Sequence, residues 1–141
     1  MKPCIFLDID GVMHLPGDAF GQFNQEAVKH LNWLTHAADA QIVVSSTWRL
    51  MPDISLKLME QGVLARMIGK TPDLGNKTRG EEIEAWFRTR ARRRFVILDD
   101  DTDMAPFTSQ LVQTDPLVGL TAPLAELALE ILCRTSTRAH A

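Results

Sequence analysis

Two aspartates separated by one residue, Asp8 and Asp10, follow a short apolar segment near the start of the chain. The segment CIFL is typical of a buried strand, and side chains two residues apart in a strand lie on the same face. Like charges held together repel each other, but paired carboxylates are good oxygen ligands for a divalent cation. Gly11 comes next and allows a sharp turn after the strand. We therefore predict a metal-binding site at this strand end.

Two further polar pairs also come directly after apolar segments. Ser45 and Ser46 follow the segment QIVV, and Asp99 and Asp100 follow the segment FVIL. Ligands bind outside the carboxyl ends of the strands in parallel sheets, so the three pairs should meet at one edge. There the carboxylates could hold Mg²⁺, a hydroxyl could donate to a phosphate oxygen, and one carboxylate could become an aspartyl-phosphate. These parts favour phosphoryl transfer.

A basic residue at a predicted helix start would complete such a site. Thr78 and Glu81 have the spacing of a capping box, which predicts a helix that begins directly after Thr78. Lys77 and Arg79 flank this cap, where the helix dipole also favours an anion. The residue pattern alone leaves both of them as candidates.

Apolar segments of strand type alternate with segments of helical periodicity along the chain, which predicts a parallel sheet covered by helices on both faces. We expect one domain over residues 1–133 and a frayed polar tail over 134–141. The predicted strands cover residues 3–7, 41–44, 65–68, 94–98 and 110–113. The predicted helices begin after Asn24, at Pro52, after Thr78 and after Thr121.

The composition is that of an ordinary globular domain, with 141 residues, 45% hydrophobic residues and a net charge of −3. This charge excludes a general electrostatic attraction of nucleic acid to the whole surface. The two cysteines, Cys4 and Cys133, suggest neither a disulfide framework nor a zinc site. We find no membrane-spanning segment and no signal-peptide pattern, so we expect a cytoplasmic protein that does not bind membranes.

Three segments resemble the motifs of the haloacid dehalogenase (HAD) superfamily of phosphohydrolases. They are DIDGV at residues 8–12 for the first motif, VVSS at 43–46 for the second and VILDD at 96–100 for the acidic fourth. Segments 46–49, 79–83 and 114–121 are similar to the small HAD domain of Swiss Army knife RNA repair proteins. The resemblance, over roughly residues 3–132, implies a three-layer Rossmann-like α/β fold. The short spacing between the motifs leaves little room for a cap domain.

The resemblance also implies roles for the acidic residues. Asp8 would be the nucleophile and a Mg²⁺ ligand. Asp10 would be the general acid and base, with its backbone carbonyl also reaching the metal. Asp100 would coordinate Mg²⁺, and Asp99 would support it.

For the phosphoryl group, the resemblance implies Ser45 as the hydroxyl donor, with Ser46 as the alternative. Lysine is the usual cation of the family, which favours Lys77. Helix register favours Arg79, because it occupies the first helical position.

Trp48 and Arg49 lie just beyond the two serines and are candidates for substrate binding, by stacking on a base and by binding a second phosphate. The loop over residues 11–23 is a candidate flap over the site. A run of arginines follows the third helix, and we expect it roughly 20 Å from the chemistry, at the opposite edge of the sheet. This run consists of Arg88, Arg90, Arg92, Arg93 and Arg94.

We therefore predict a Mg²⁺-dependent phosphatase that acts through an aspartyl-phosphate and has an open site. Its substrate would be a phosphorylated small molecule, such as a nucleotide, or a nucleic-acid end; the sequence names no protein partner. The alternatives are a receiver-like module or a catalytically silent phosphate-binding domain. Receiver domains carry their phosphoacceptor after the third strand, whereas Asp8 and Asp10 follow the first.

Overall fold

Five parallel strands form the central sheet of the computed structural model, which describes residues 1–138, with side chains placed through residue 134. The strands are β1 (Cys4–Leu7), β2 (Gln41–Val44), β3 (Met67–Lys70), β4 (Phe95–Asp99) and β5 (Leu111–Gln113). Their order is β3-β2-β1-β4-β5, which puts β1 at the centre. All four neighbouring pairs are parallel, so the predicted α/β architecture is confirmed.

Four helices within the described residues cover both faces of the sheet; three of them connect strands, and the fourth follows β5. They are α1 (Gln25–Ala38), α2 (Ile54–Glu60), α3 (Arg79–Phe87) and α4 (Ala122–Arg138). Ile5 and Leu7 of β1 point into the core that includes α1 and α4. Cys4 and Phe6 point into the smaller, aromatic core under α3. Because side chains alternate between the two faces, the residue that follows β1 lies on the same face of the sheet as Phe6.

Local capping interactions set the helix starts where the sequence predicts them. The Asn24 side chain accepts a hydrogen bond from the backbone N–H of Ala27, at 3.0 Å. Thr78 and Glu81 form both halves of a capping box at the start of α3. These caps satisfy backbone N–H groups that the first helical turn leaves unpaired, so they determine the positions of the helix starts.

Two elements begin two residues later than predicted, whereas the bounds of the other strands differ from the prediction by at most one residue. Strand β3 covers Met67–Lys70 instead of residues 65–68, and it continues through Gly69, beyond the predicted end of the strand. A Cβ at Gly69 would lie 3.0 Å from the indole nitrogen of Trp86, so glycine at this position avoids a tight contact between β3 and α3. Helix α2 begins at Ile54 and not at Pro52, because a 3-10 turn over residues 47–50 comes first and the chain must turn again before α2.

The end of the arginine run lies at the amino edge of the sheet, opposite to the polar pairs, because Arg94 directly precedes β4 and its backbone oxygen accepts a hydrogen bond from Cys4. Arg90 stacks over the ring of Trp86 at 4.3 Å, and Arg93 donates to the backbone oxygen of Lys2, just before β1 begins. These side chains cover the aromatic core and the amino ends of the strands, which is a structural role.

The carboxyl end of the chain is only partly described. Helix α4 continues to Arg138, into the segment predicted as a tail, and residues 139–141 lie outside the described residues. Among the helices that the structure describes, none combines the length and apolar character needed to cross a bilayer.

Candidate active site

Strand register brings three predicted residues side by side at the carboxyl edge of the sheet. Leu7 of β1 pairs with Val44 of β2 and with Leu98 of β4, so the next residues along the three strands are Asp8, Ser45 and Asp99. Backbone bonds continue the ladder, because the N–H of Asp8 donates to Leu98 and that of Ser45 donates to Leu7. Alternation turns all three side chains toward α3, on the same face as Phe6.

Three carboxylates form a cluster at this edge. Asp8, Asp99 and Asp100 each place an oxygen within 4.8 Å of the others. Gly11 makes room for Asp100, since a Cβ at this position would lie 2.5 Å from a carboxylate oxygen of Asp100. Gly11 also has a φ of +83°, which other residues rarely adopt. The residue after the two aspartates is therefore a glycine for both conformational and steric reasons.

Burial disfavours the ionised forms of two carboxylates in this cluster. Burial raises the pKa of Asp8 above its ordinary value, and the nearby Arg79 guanidinium offsets this in part. Burial also raises the pKa of Asp99, and the negative charge of Asp8 raises it further. Both shifts mean that the ionised forms are disfavoured where they stand. A divalent cation bound between the oxygens would favour them, so this donor set fits a hard metal ion.

Arg79 brings a positive charge to the carboxylate cluster. Its Nη1 lies 3.3 Å from Asp8 and 3.2 Å from Asp99, and it also donates to the backbone oxygen of Ser45. Gly80 allows this approach, because a Cβ there would collide with the backbone oxygen of Ala105. The first residue of α3 can therefore reach the carboxylates of both central strands.

Lys77, the other candidate cation, points elsewhere. Its ammonium, just before α3, lies 3.8 Å from Glu81 of that helix, and both side chains are exposed. The structure therefore brings Arg79, but not Lys77, to Asp8. Asp103 contributes to this placement, because its carboxylate accepts a hydrogen bond from the backbone N–H of Arg79 at 3.2 Å.

The two serines have different surroundings. The hydroxyl of Ser46 accepts a hydrogen bond from the backbone N–H of Trp48 and so caps the 3-10 turn. The hydroxyl of Ser45 is fully buried and has no hydrogen-bond partner among the described residues. A buried hydroxyl without a partner is costly, and a phosphate oxygen would satisfy it.

Asp10 lies outside the carboxylate cluster. Its side chain is exposed and accepts a hydrogen bond from the indole N–H of Trp48, at 3.1 Å. The Trp48 ring packs at 5.8 Å from His14 and at 5.7 Å from Phe23. Trp48 therefore holds the Asp10 carboxylate toward solvent, on the open side of the site.

Arg49 is buried in internal contacts. Its Nη1 donates to the backbone oxygen of Ser46 at 2.9 Å, and its Nη2 lies 3.0 Å from Glu82 on α3. Asp73 is a third neighbour, at 3.6 Å. Arg49 thus ties the turn after β2 to α3.

Glu82, the counter-ion of Arg49, was not among the residues predicted from the sequence. A signal was present, because Glu82 lies four residues before Trp86 and so falls on the buried face of α3. An acidic residue on a buried helix face requires a cation. The sequence did not indicate which cation, since Arg49 is 33 residues away.

We expect Arg49→Met to destabilise the fold by about 3 kcal/mol, because it leaves the Glu82 carboxylate buried and unpaired. Chemical denaturation would measure this change. The double variant Arg49→Met/Glu82→Leu should recover most of the loss, since no buried charge remains. Lys2→Met, which removes only an exposed pair with Asp39, is the matched control and should have a much smaller effect. A double variant no more stable than Arg49→Met would contradict the ion-pair account.

Comparison with known families agrees with this geometry. The family model described as "HAD domain in Swiss Army Knife RNA repair proteins" matches residues 4–125, which contain every residue of the candidate site. No curated protein matches the chain. Because the family model covers most of the sequence, from β1 into α4, the chain belongs to the family of HAD domains found in Swiss Army Knife RNA repair proteins.

Proposed function

We propose that this domain is a Mg²⁺-dependent phosphatase that hydrolyses phosphomonoesters through an aspartyl-phosphate on Asp8. The observation that carries the proposal is the convergence of Asp8, Arg79 and the unpartnered hydroxyl of Ser45 at one sheet edge. A nucleophile, a positive charge and a hydrogen-bond donor thereby surround one position that a phosphoryl group can occupy. Membership in a hydrolase family supports the same chemistry.

In the first step, a carboxylate oxygen of Asp8 attacks phosphorus and the bond from phosphorus to the leaving oxygen breaks. The Ser45 hydroxyl and Arg79 stabilise the negative charge on the phosphoryl oxygens. Asp10 donates a proton to the leaving oxygen, and its exposed position beside the cluster suits contact with a departing group. In the second step Asp10 takes a proton from water, the water oxygen bonds to phosphorus, and Asp8 leaves as a carboxylate.

The carboxylates of Asp8, Asp99 and Asp100 would hold the Mg²⁺ ion. Asp10 would add its backbone carbonyl, as the resemblance implies. When bound, the ion offsets the negative charge of the carboxylates and of the phosphoryl group.

We expect Mg²⁺ to stabilise the folded domain. At a Mg²⁺ concentration 100 times its Kd, binding adds about 2.7 kcal/mol to the free energy of unfolding, enough to raise the Tm by several degrees. Thermal melts in EDTA and in millimolar Mg²⁺ would measure the shift. Asp100→Asn should reduce it, because the cluster loses one charged ligand. Identical melting curves with and without Mg²⁺ would contradict a metal site.

The open site suits a substrate larger than a simple ester. Asp10 is exposed, and the connections between the described strands contain no inserted domain that would cover it. The description of the family supports a nucleotide or the phosphorylated end of a nucleic acid as the substrate. Trp48 and Ser46 stay candidates for contacts outside the phosphoryl position. We assign Arg49 to positioning the turn that carries Ser45.

Hydrolysis of 4-nitrophenyl phosphate, measured with Mg²⁺ and with EDTA, tests the proposed function. We expect turnover only with Mg²⁺, and a phosphorylated enzyme trapped by acid quench in single-turnover experiments. A receiver-like module would accept a phosphoryl group but release it slowly, and a silent domain would show neither signal. Either of those results would contradict the proposal.

A further inference from the structure

A recess of about 430 Å³ opens directly beside the exposed carboxylate of Asp10. Asp10, Trp48, Phe20, Met51 and Lys57 are among the residues that line it. The volume lies in the range that holds small organic ligands. Because Asp10 is the proposed donor of a proton to the leaving oxygen, a group bound in the recess would be the one that departs from phosphorus.

Trp48 forms a fixed aromatic wall of this recess. Its N–H is held by Asp10 at 3.1 Å, and its ring packs against His14 and Phe23. An indole that neighbours already hold loses little freedom when another flat ring stacks on it.

Phe20 adds a second aromatic surface, and it is fully exposed. It lies in the loop that the sequence analysis identified as a candidate flap. A phenyl ring that packs against nothing gains from any flat partner that removes it from water. Met51, which is 37% exposed, extends the apolar lining of the recess.

Lys57 brings a positive charge to the same recess. No carboxylate of the described residues lies within salt-bridge distance of its ammonium. A Cβ at Gly21 would lie 3.1 Å from this ammonium, so the lysine reaches across to the flap loop. An unpaired cation next to aromatic surfaces suits a ligand that carries both a flat ring and an additional negative charge.

We propose that the recess binds the nucleoside of the substrate and that Lys57 binds a second phosphate of the same molecule. This inference rests on the proposed function, because it places the leaving group of that reaction. The second phosphate has two sources with the same chemistry, namely the other phosphate of a nucleoside bisphosphate and the phosphodiester that follows an oligonucleotide end. Phosphotyrosine also has an aromatic leaving group, but it lacks the second phosphate that would use Lys57.

The test compares kcat/KM for adenosine 3′,5′-bisphosphate, adenosine 5′-monophosphate, a 5′-phosphorylated dinucleotide and phosphotyrosine. We expect wild type to favour at least one of the two substrates with a second phosphate over the monophosphate by about tenfold, which corresponds to about 1.4 kcal/mol. In Lys57→Gln, the ratio of kcat/KM for that substrate to kcat/KM for adenosine 5′-monophosphate should fall close to one. Preference for the bisphosphate or for the dinucleotide identifies the source of the second phosphate. A preference for phosphotyrosine, or a ratio that Lys57→Gln leaves unchanged, would overturn the proposal.

Two further variants separate charge from stacking. Lys29→Gln removes a lysine that lies beside Ala122 and Glu126, away from the recess, and should leave the ratio unchanged. Phe20→Ala should raise KM severalfold for every nucleotide, whereas Phe20→Tyr should restore it, because tyrosine keeps the ring. If Phe20→Ala leaves KM unchanged, the flap ring does not contact the base and the stacking part of the proposal fails.

A binding measurement distinguishes failure of this inference from failure of the proposed function. Calorimetric titration of adenosine 3′,5′-bisphosphate into Asp8→Asn in the presence of Mg²⁺ needs no turnover. If adding Lys57→Gln to this variant weakens nucleotide binding about tenfold, the result supports binding of the second phosphate by Lys57. This holds even if the wild-type protein hydrolyses no phosphomonoester. If the protein hydrolyses 4-nitrophenyl phosphate but Lys57→Gln does not change its affinity for the nucleotide, the proposed phosphatase activity stands and the proposed binding in the recess is wrong.

Discussion

Asp8→Asn is expected to reduce phosphatase turnover by at least about a thousandfold, because an amide cannot form the proposed covalent bond to phosphorus. The same change should not unfold the protein. Asn has nearly the shape of Asp, and it removes one negative charge from a cluster in which burial raises the pKa of both Asp8 and Asp99 and the charge of Asp8 raises the pKa of Asp99 further. We therefore expect a Tm in EDTA that is equal to or higher than that of wild type.

Three measurements check this expectation. Steady-state turnover of 4-nitrophenyl phosphate gives the loss, thermal melting gives the stability, and beryllium fluoride binding reports the nucleophile, since beryllium should attach to wild type but not to the variant. Asp39→Asn is a matched control, because Asp39 precedes β2 at the opposite edge and has a φ of +51° that Asn tolerates. Turnover of Asp8→Asn within tenfold of wild type would reject Asp8 as the nucleophile.

The sheet was predictable because each part of its signal is local. Fully buried parallel strands have near-continuous apolar sequences, and β1, β2 and β4 have them. The convergence of Asp8, Ser45 and Asp99 then follows from strand alternation and from the rule that parallel strands place their carboxyl ends together. Helix caps were also predictable, since a capping box lies within four residues.

Strand β3 was harder to place because its side chains are only partly buried. It lies at the edge of the sheet, and three of its four residues are half-buried. Its pairing with β2 also shifts register between Ile42 and Val43. The apolar pattern of a strand is weaker where one side of the strand faces solvent. The strand predicted from the sequence therefore begins and ends two residues before the observed β3.

The contacts that complete the site were not predictable, because they join distant parts of the chain. Arg49 meets Glu82, and Trp48 meets Asp10, across 33 and 38 residues. The recess beside Asp10 depends on how the flap loop and α2 are placed relative to each other, and neither segment carries that information alone. Sequence spacing thus identified Trp48 as a candidate without indicating that its N–H holds the proposed acid.

Substitution of Arg79, the basic residue that contacts Asp8, is expected to reduce turnover strongly. We expect Arg79→Ala to lower kcat by about 100- to 1000-fold, because its guanidinium stands 3.3 Å from Asp8, where charge develops during transfer. The loss should appear on every substrate, including 4-nitrophenyl phosphate, since the contact is with the reacting group. Arg79→Lys should recover part of the activity, because it keeps the positive charge but lacks the Nη1 atom that contacts both Asp8 and Asp99.

Lys77→Ala provides the internal comparison, since Lys77 is one residue from the same helix cap but forms an exposed pair with Glu81. We expect it to retain kcat on 4-nitrophenyl phosphate within about threefold, and to lose more only on substrates with additional phosphates, because an exposed lysine acts through long-range charge. Equal losses for both variants on all substrates would show that the two cations share one role. Full activity in both would move the search to Lys70, whose ammonium donates to the backbone oxygen of Arg49 at 2.9 Å, at the same edge of the sheet.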